Sequence, residues 1–204
     1  MLIGGGGHCH SVIDSAIALG IYDDIGIVDT VDNSWLGVSV VGTDDDIPRL
    51  IKTGWTEAFI TVGSVGNTST RRKIYEMIKT LCLSVPVLVD PSAIIAERVR
   101  IKEGTYIGKR AIVNTGSDIG AFSIINTGAI IEHECCIGDF AHVSPGTTLC
   151  GQVVIGNDSH IGAGSVVRQL INIGSNSIVG AGSVVVKDIP ANVKAYGNPC
   201  KVVE

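Results

Sequence analysis

Aliphatic residues recur at every sixth position through the second half of the chain, and this period limits the possible folds more than any other feature. The series has 17 members without a gap: Val89, Ile95, Ile101, Ile107, Val113, Ile119, Ile125, Ile131, Ile137, Val143, Leu149, Ile155, Ile161, Val167, Ile173, Val179 and Val185. Chance does not supply such a run, because aliphatic residues are only about a quarter to a third of ordinary sequences. A period of six fits neither an amphipathic helix nor a lone alternating strand.

The period is typical of short strands separated by tight corners, with three strands in each 18-residue coil. Residue n then stacks on residue n+18 at the spacing of neighbouring strands, about 4.8 Å. A β-sandwich fits less well, since its strands recur irregularly at about 8–12 residues. We therefore predict a triangular parallel β-helix, with a handedness that the period does not determine.

Two further positions of the repeat are occupied by small residues. A second inward position, two residues before the aliphatic one, is mostly small: Ala93, Thr105, Ala111, Ser117, Ser123, Ala129, Cys135, Ala141, Thr147, Ser159, Ser165, Ser177 and Ser183. Glycine often follows the aliphatic residue: Gly108, Gly120, Gly138, Gly156, Gly162, Gly174 and Gly180. We expect these glycines to supply corner conformations that a Cβ would resist.

The repeats at residues 155–166 and the ending at residues 186–203 resemble the hexapeptide acyltransferase superfamily. The resemblance implies a left-handed prism, a homotrimer and acyl transfer. Sugar pyrophosphorylases and carbonic anhydrases use the same prism, so these activities remain alternatives. A carbonic anhydrase needs three histidines around zinc, and only His142 and His160 are spaced to stack.

Residues 1–88 lack the period and alternate short apolar runs with helical stretches. We expect strands at residues 1–3, 25–29 and 58–62, and helices at residues 11–19, from residue 44 or 45, and at residues 68–83. Such alternation favours a small Rossmann-like α/β domain with a parallel sheet. The predicted division is therefore an α/β domain at 1–88 and a β-helix with a C-terminal tail at 89–204.

A glycine-rich loop follows the first predicted strand and precedes the first helix. Its backbone amides and the helix N-terminus can approach a phosphate closely. Asp29 ends the second strand, where an acidic residue often binds a ribose hydroxyl. Cys9 departs from the dinucleotide fingerprint, so a dinucleotide is one alternative among several ligands.

The α/β domain and the prism together resemble bacterial sugar O- and N-acyltransferases, including the UDP-4-amino-sugar N-acetyltransferase of bacillosamine synthesis. In that branch the front domain holds a nucleotide sugar. The resemblance implies a nucleotide-sugar pocket lined by Gly6, Gly7, His8, Asp29 and Gly63. Thr30 stands where some members have a second acid, which leaves the uridine preference open.

Residues 131–143 resemble the active-site motif of the same branch. The resemblance makes His133 the general base, gives Glu134 the role of raising its basicity, and places His142 against the acetyl group. The repeat itself puts His133 at a corner and His142 on a face, half a coil away. The two cannot share a site within one chain, so a site formed by both lies between subunits.

Four further positions are candidates for the predicted site. His160 stacks over His142, and Asn126 is a candidate to orient the His133–Glu134 pair, with a structural amide as the alternative. Ala163 and Ala181 lie 18 residues apart among glycines. The resemblance makes this corner the acetyl-CoA track, and ordinary corner packing is the alternative.

Charge and cysteine content narrow the function further. A net charge of −5 argues against nucleic-acid binding. No export signal or long apolar run is present, so we expect a cytoplasmic protein without a membrane span, with six reduced cysteines and no metal. We predict acetyl-CoA-dependent N-acetylation of a UDP-4-amino-4,6-dideoxy sugar. Sialic acid-type O-acetylation, GDP-perosamine-type N-acetylation and a non-catalytic scaffold are the alternatives.

Overall fold

The N-terminal part of the chain forms a small parallel sheet with helices beside it. The computed structural model describes residues 1–203. The elements are β1 (Leu2–Ile3), α1 (Gly7–Leu19), β2 (Ile27–Val28), β3 (Val40–Gly42), a 3-10 turn (Asp44–Asp46), α2 (Ile47–Lys52), β4 (Phe59–Ile60) and α3 (Ser69–Thr80). The sheet order is β3-β2-β1-β4, and every pair is parallel. The strand order reverses beside β1, which is where ligands bind in open α/β sheets.

The alternation of strand and helix follows the sequence prediction, with two differences. β3 was missed, because three residues between turns carry almost no period. α1 begins at Gly7 and not at residue 11, so Gly7 and His8 belong to its first turn.

The rest of the chain is a triangular prism of three parallel sheets, here called faces A, B and C in chain order. Face A contains β5 (Leu88–Val89), β8 (Tyr106–Ile107), β11 (Ile124–Ile125), β14 (His142–Val143), β17 (His160–Ile161), β20 (Ile178–Val179), β22 (Lys194–Gly197) and the antiparallel β23 (Cys200–Val202). Face B contains β6 (Ile94–Ile95), β9 (Ile112–Val113), β12 (Ile130–Ile131), β15 (Thr148–Leu149), β18 (Val166–Val167) and β21 (Val184–Val185). Face C contains β7 (Arg100–Ile101), β10 (Asp118–Ile119), β13 (Cys136–Ile137), β16 (Val154–Ile155) and β19 (Asn172–Ile173).

The predicted 18-residue stacking is present in every coil up to β21, and the last coil is two residues shorter, with Ile178 paired to Lys194. Ile119 pairs with Ile137, and Val143 with Ile161. The aliphatic series forms one buried core. Small hydroxyl residues share this interior because they donate to backbone carbonyls, most of them 15 residues later, as Ser123 does to Gly138 at 2.7 Å. Burial of these polar groups is tolerated because they are hydrogen-bonded.

The structure corrects the expected role of the glycines that follow the aliphatic residues. Positive φ occurs two positions later, at Gly146 and Gly164 but also at Phe122 and Leu170. At Gly174, by contrast, an added Cβ would overlap the Ala191 backbone nitrogen. Glycine is therefore needed after the aliphatic residue for close approach of the next coil and not for a left-handed conformation.

The α/β part is fixed to face A and to the neighbouring corner between faces C and A. Ser15 in α1 donates to Asp90 at 2.5 Å and lies 2.9 Å from the Tyr106 hydroxyl. Arg72 in α3 binds both carboxylate oxygens of Asp158, at 2.8 and 2.7 Å. Face A is thus covered, while faces B and C remain open.

Candidate active site

His133 lies at the corner between faces B and C, where the chain leaves β12 for β13. Its Nδ1 lies 3.2 Å from the Glu134 Oε2 atom. A carboxylate accepts, so Nδ1 carries the proton and Nε2 keeps its lone pair. Both side chains are about half exposed. The geometry therefore leaves an imidazole with a free nitrogen lone pair half exposed at a prism corner.

Two residues of the next coil surround this pair. The imidazole lies over Gly151, where an added Cβ would overlap the Nε2 atom and its neighbour Cε1. The Gln152 side-chain amide donates to Glu134 Oε2 at 3.0 Å. Sequence reasoning missed both residues, although the 18-residue spacing places 151 and 152 directly beside 133 and 134.

His142 is on face A and less accessible than its outward position suggested. Its Nδ1–H donates to the Ser64 carbonyl at 2.9 Å, and the Asn126 amide lies 3.2 Å from Nε2. Burial lowers the pKa of His142 to about 4, so the ring is neutral at physiological pH. His160 lies beside it in the next coil as expected, and the two rings meet edge to face with centroids 4.9 Å apart.

The placement of Asn126 differs from the expectation. Within the chain its side chain contacts His142 and not the His133–Glu134 pair. The reason is that residue 126 directly follows β11, whose neighbour in the next coil is β14 on the same face. Contact of His142 with an acetyl group stays a prediction.

The glycine loop, Asp29 and Gly63 come together at the carboxyl edge of the small sheet. Gly5 donates its backbone N–H to Asp29 Oδ2 at 2.5 Å, which is the main cause of the lowered pKa of Asp29. A Cβ added at Gly63 would lie 3.6 Å from the His8 Cβ. Gly63 follows β4, the fourth strand rather than the third, because β3 was missed. Their roles toward a nucleotide sugar stay predictions.

Several buried polar atoms between this loop and face A have no partner among residues 1–203. They are His8 Nε2, His160 Nδ1, and Nε and Nη1 of Arg71. Burial lowers the pKa of His8 to about 3, with neighbouring His142 and Arg71 adding to the effect. This region can therefore supply hydrogen bonds without a cationic imidazole.

Ala163 and Ala181 stack at the corner between faces A and B. Both are exposed, and Gly182 donates its backbone N–H to the Ala163 carbonyl at 2.8 Å. The structure places these alanines on the side of His142 and away from the corner of His133.

The two adjacent cysteines lie outside the predicted site. Cys135 is buried, which raises its pKa to about 11, and Cys136 points outward.

Within residues 1–203, no three His, Cys, Asp or Glu side chains converge as metal ligands would. Nor does that part of the chain contain a helix long and apolar enough to cross a membrane. A cavity of about 440 Å³ opens at the opposite edge of the small sheet, beside Tyr22 and Trp55.

Comparisons with known proteins agree with this architecture. Residues 1–78 match the PglD N-terminal domain, and residues 137–169 match the bacterial transferase hexapeptide of six repeats. No curated protein sequence matches the chain.

Solved structures match over almost the whole chain. The acetyltransferase domain of PglB from Neisseria gonorrhoeae, in complex with acetyl coenzyme A, is 35% identical with a TM-score of 0.91, covering 99% of this chain and 97% of that one. PerB from Caulobacter crescentus, in complex with CoA and GDP-perosamine, is 37% identical with a TM-score of 0.93, covering 100% and 96%. WeeI from Acinetobacter baumannii, at 22% identity and a TM-score of 0.87, shares the fold.

A small α/β domain joined to a hexapeptide prism defines an acyltransferase architecture. The chain belongs to the hexapeptide-repeat family of sugar N-acetyltransferases, as the sequence resemblance implied. The predicted fold class, a Rossmann-like domain followed by a left-handed parallel β-helix, is confirmed. The division at residues 88 and 89 stays a prediction, and Glu204 lies outside the described residues.

Proposed function

We propose that the protein transfers the acetyl group of acetyl-CoA to the amino group of a nucleotide-linked amino sugar, with His133 as general base. The observation that carries this proposal is the half-exposed His133–Glu134 pair, whose Nδ1–H faces the carboxylate and whose Nε2 lies over Gly151, a residue without a side chain. Acetyl-CoA, CoA and GDP-perosamine bound in similar solved structures support the same substrates here.

The reaction is a direct transfer within a ternary complex. His133 Nε2 takes a proton as the sugar amine attacks the thioester carbonyl, and Glu134 stabilises the resulting imidazolium. A nitrogen–carbon bond forms, the carbon–sulfur bond breaks, and the CoA thiolate leaves. The main contribution of the protein is to orient two bound substrates, which can supply several kcal/mol.

The active site would lie between subunits of a homotrimer. His133 is at the corner between faces B and C, whereas Ala163 and Ala181 are at the corner between faces A and B. Face B is the one face bounded by both corners. Packing three B faces around a threefold axis brings the His133 corner of each chain to the alanine corner of its neighbour.

The surface of face B supports this arrangement. Its outward residues are almost all apolar: Ile94, Ile112, Ile130, Thr148, Val166 and Val184. Ile94 is 61% exposed and Val166 41%. Face A is already covered, and face C carries the Arg100–Asp118 ion pair. An open apolar face of this kind is typical of a subunit interface.

The nucleotide sugar would occupy the glycine loop, Asp29 and Gly63, with its sugar directed toward face A. A UDP-4-amino-4,6-dideoxy sugar is the substrate that the sequence resemblance favours. GDP-perosamine is the second candidate, because PerB was crystallised with it. Sialic acid-type O-acetylation requires a hydroxyl in place of the amine. We expect the reaction to take place in the cytoplasm.

Release of free thiol from acetyl-CoA tests this function. The assay would compare UDP- and GDP-linked 4-amino sugars, the matching 4-hydroxy sugars and sialic acid. We expect turnover with one of the amino sugars and mass-spectrometric identification of its N-acetyl product. Turnover only with a hydroxyl acceptor would overturn N-acetylation, and no turnover with any acceptor would overturn the proposed function.

A further inference from the structure

Gln152 contacts the carboxylate that orients the proposed base. It follows Glu134 by one 18-residue coil, and both residues have positive φ, 58° for Glu134 and 60° for Gln152. Their side chains therefore project from the same corner in the same direction. The Gln152 Nε2–H donates to Glu134 Oε2 at 3.0 Å, the same oxygen that faces His133 Nδ1 at 3.2 Å.

Nothing else in residues 1–203 holds this carboxylate through a hydrogen bond. Glycine lies beside both functional side chains, with Gly116 next to the Cγ of Glu134 and Gly151 next to the imidazole. These glycines leave room for the pair but give it no lateral support. An exposed pair of this kind is worth little by itself, because solvent competes for both partners.

We propose that Gln152 is a positioning residue for the acetyl transfer, acting through Glu134. Its amide fixes the carboxylate so that Nδ1 of His133 keeps the proton and Nε2 keeps the lone pair. A neutral amide suits this role, since it donates a hydrogen bond without bringing a second charge to the corner. The proposal rests on the proposed role of His133 as the base.

Two variants test the contact. Gln152→Ala removes the donor, and Gln152→Glu keeps the length while replacing the donor with an acceptor. We expect kcat to fall about tenfold in both, because the His133–Glu134 pair loses its orientation. KM for acetyl-CoA and for the sugar should stay unchanged, because no substrate contact is removed. Asn176→Ala is the matched control, because it removes a similar stacked amide bond, Asn176 to Asn192 at 3.0 Å, at another corner where φ is 56°.

A double-mutant cycle shows whether Gln152 acts through Glu134. In a Glu134→Gln background, Gln152→Ala should change kcat by less than about twofold. An equal tenfold loss in that background would show that Gln152 acts independently of Glu134 and would overturn the proposal.

The tautomer of His133 gives a readout that does not depend on turnover. Imidazole ¹⁵N chemical shifts, assigned with His133→Ala, should report the Nδ1–H form in the wild type and a mixture with the Nε2–H form in both Gln152 variants. An unchanged tautomer in these variants would overturn the positioning role. If the wild type shows the Nδ1–H form but acetylates none of the sugars, the proposed function fails while the positioning of His133 stands.

Discussion

His133 differs from the other histidines of the predicted site in its access to solvent. It lies half exposed at a corner, whereas His8 and His142 are enclosed between the α/β part and face A. Of these three imidazoles, only that of His133 is open to an incoming substrate. General acid–base catalysis requires such access, because the base must reach the proton that it removes.

Replacement of His133 tests its role as the base. His133→Ala should lower kcat by roughly 10²–10⁴, the usual range for loss of a general base. The unfolding midpoint should change little, because the side chain is exposed. Steady-state thiol release and urea unfolding check the two expectations. Retention of most of the wild-type rate would remove His133 from the mechanism.

The enclosed histidines predict a pH-dependent stability. Burial lowers the pKa of His8 to about 3 and that of His142 to about 4, below the usual value near 6.5. Between pH 6 and 4.5 the unfolded chain therefore binds protons that the folded chain does not. The free energy of unfolding should fall as the pH falls, by up to about 1.4 kcal/mol per pH unit for each histidine.

Urea unfolding followed by the fluorescence of Trp35 and Trp55 measures this slope. His142→Gln should reduce it, since glutamine can still donate to Ser64 but does not titrate. Carboxylates with lowered pKa values, such as Asp90 and Asp158, contribute mainly below about pH 4. Equal stability at pH 6 and pH 4.5 would contradict the assignment of neutral, buried rings.

At the scale of strands and corners, the repeat made the prism predictable. The inward aliphatic and small positions recur in each coil. The register, the core and the opposite locations of His133 and His142 therefore follow from the spacing of residues in the sequence. The left-handed corner residue did not follow, because that position accepts Phe122 and Leu170 as readily as glycine.

The α/β part was less predictable for a different reason. Its strands have two or three residues, so β3 left no period to detect. The contacts of Asn126 and Ser64 with His142 depend on how this part packs on face A, and no sequence spacing contains that information. The corner of His133 and the face of His142 could therefore be predicted from the sequence, whereas the contacts of these residues required the structure.

Substitution should destabilise the protein more at a glycine that follows an aliphatic residue than at a glycine with positive φ. Gly174→Ala should destabilise the protein by about 3 kcal/mol, because the new Cβ would overlap the backbone of Ala191. Gly146→Ala should cost only about 1 kcal/mol, since its φ is 66° but no atom lies within 4 Å of the added carbon. Guanidinium unfolding of both variants checks the order, and a larger loss for Gly146→Ala would contradict it.

At the scale of the whole molecule, the arrangement of faces determines how the site can be completed. Face A binds the α/β part, and the apolar face B lies between the two corners that carry His133 and Ala163. A single chain thus holds the proposed base at one corner and the proposed acetyl-CoA track at another. The proposed association through face B would join them.

Loss of association should therefore abolish activity. We expect a trimeric mass by light scattering, and Val166→Arg on face B should give monomers that are folded but inactive. Asn172→Arg on the outward side of face C is the matched control and should stay trimeric and active. An active monomer would contradict the shared site.

Subunit mixing measures the sharing of the site most directly. His133→Ala chains lack the base, and Ala163→Trp chains carry a bulky group intended to block the acetyl-CoA track. Each variant is first shown to be trimeric and nearly inactive alone. The two are then dissociated, mixed equally and reassembled.

Random assortment places an intact base against an intact track at about a quarter of the interfaces, because a cyclic trimer repeats one heterologous contact. The account predicts that mixed trimers recover about that fraction of the wild-type rate. Verified mixed trimers that stay as inactive as either parent would contradict it.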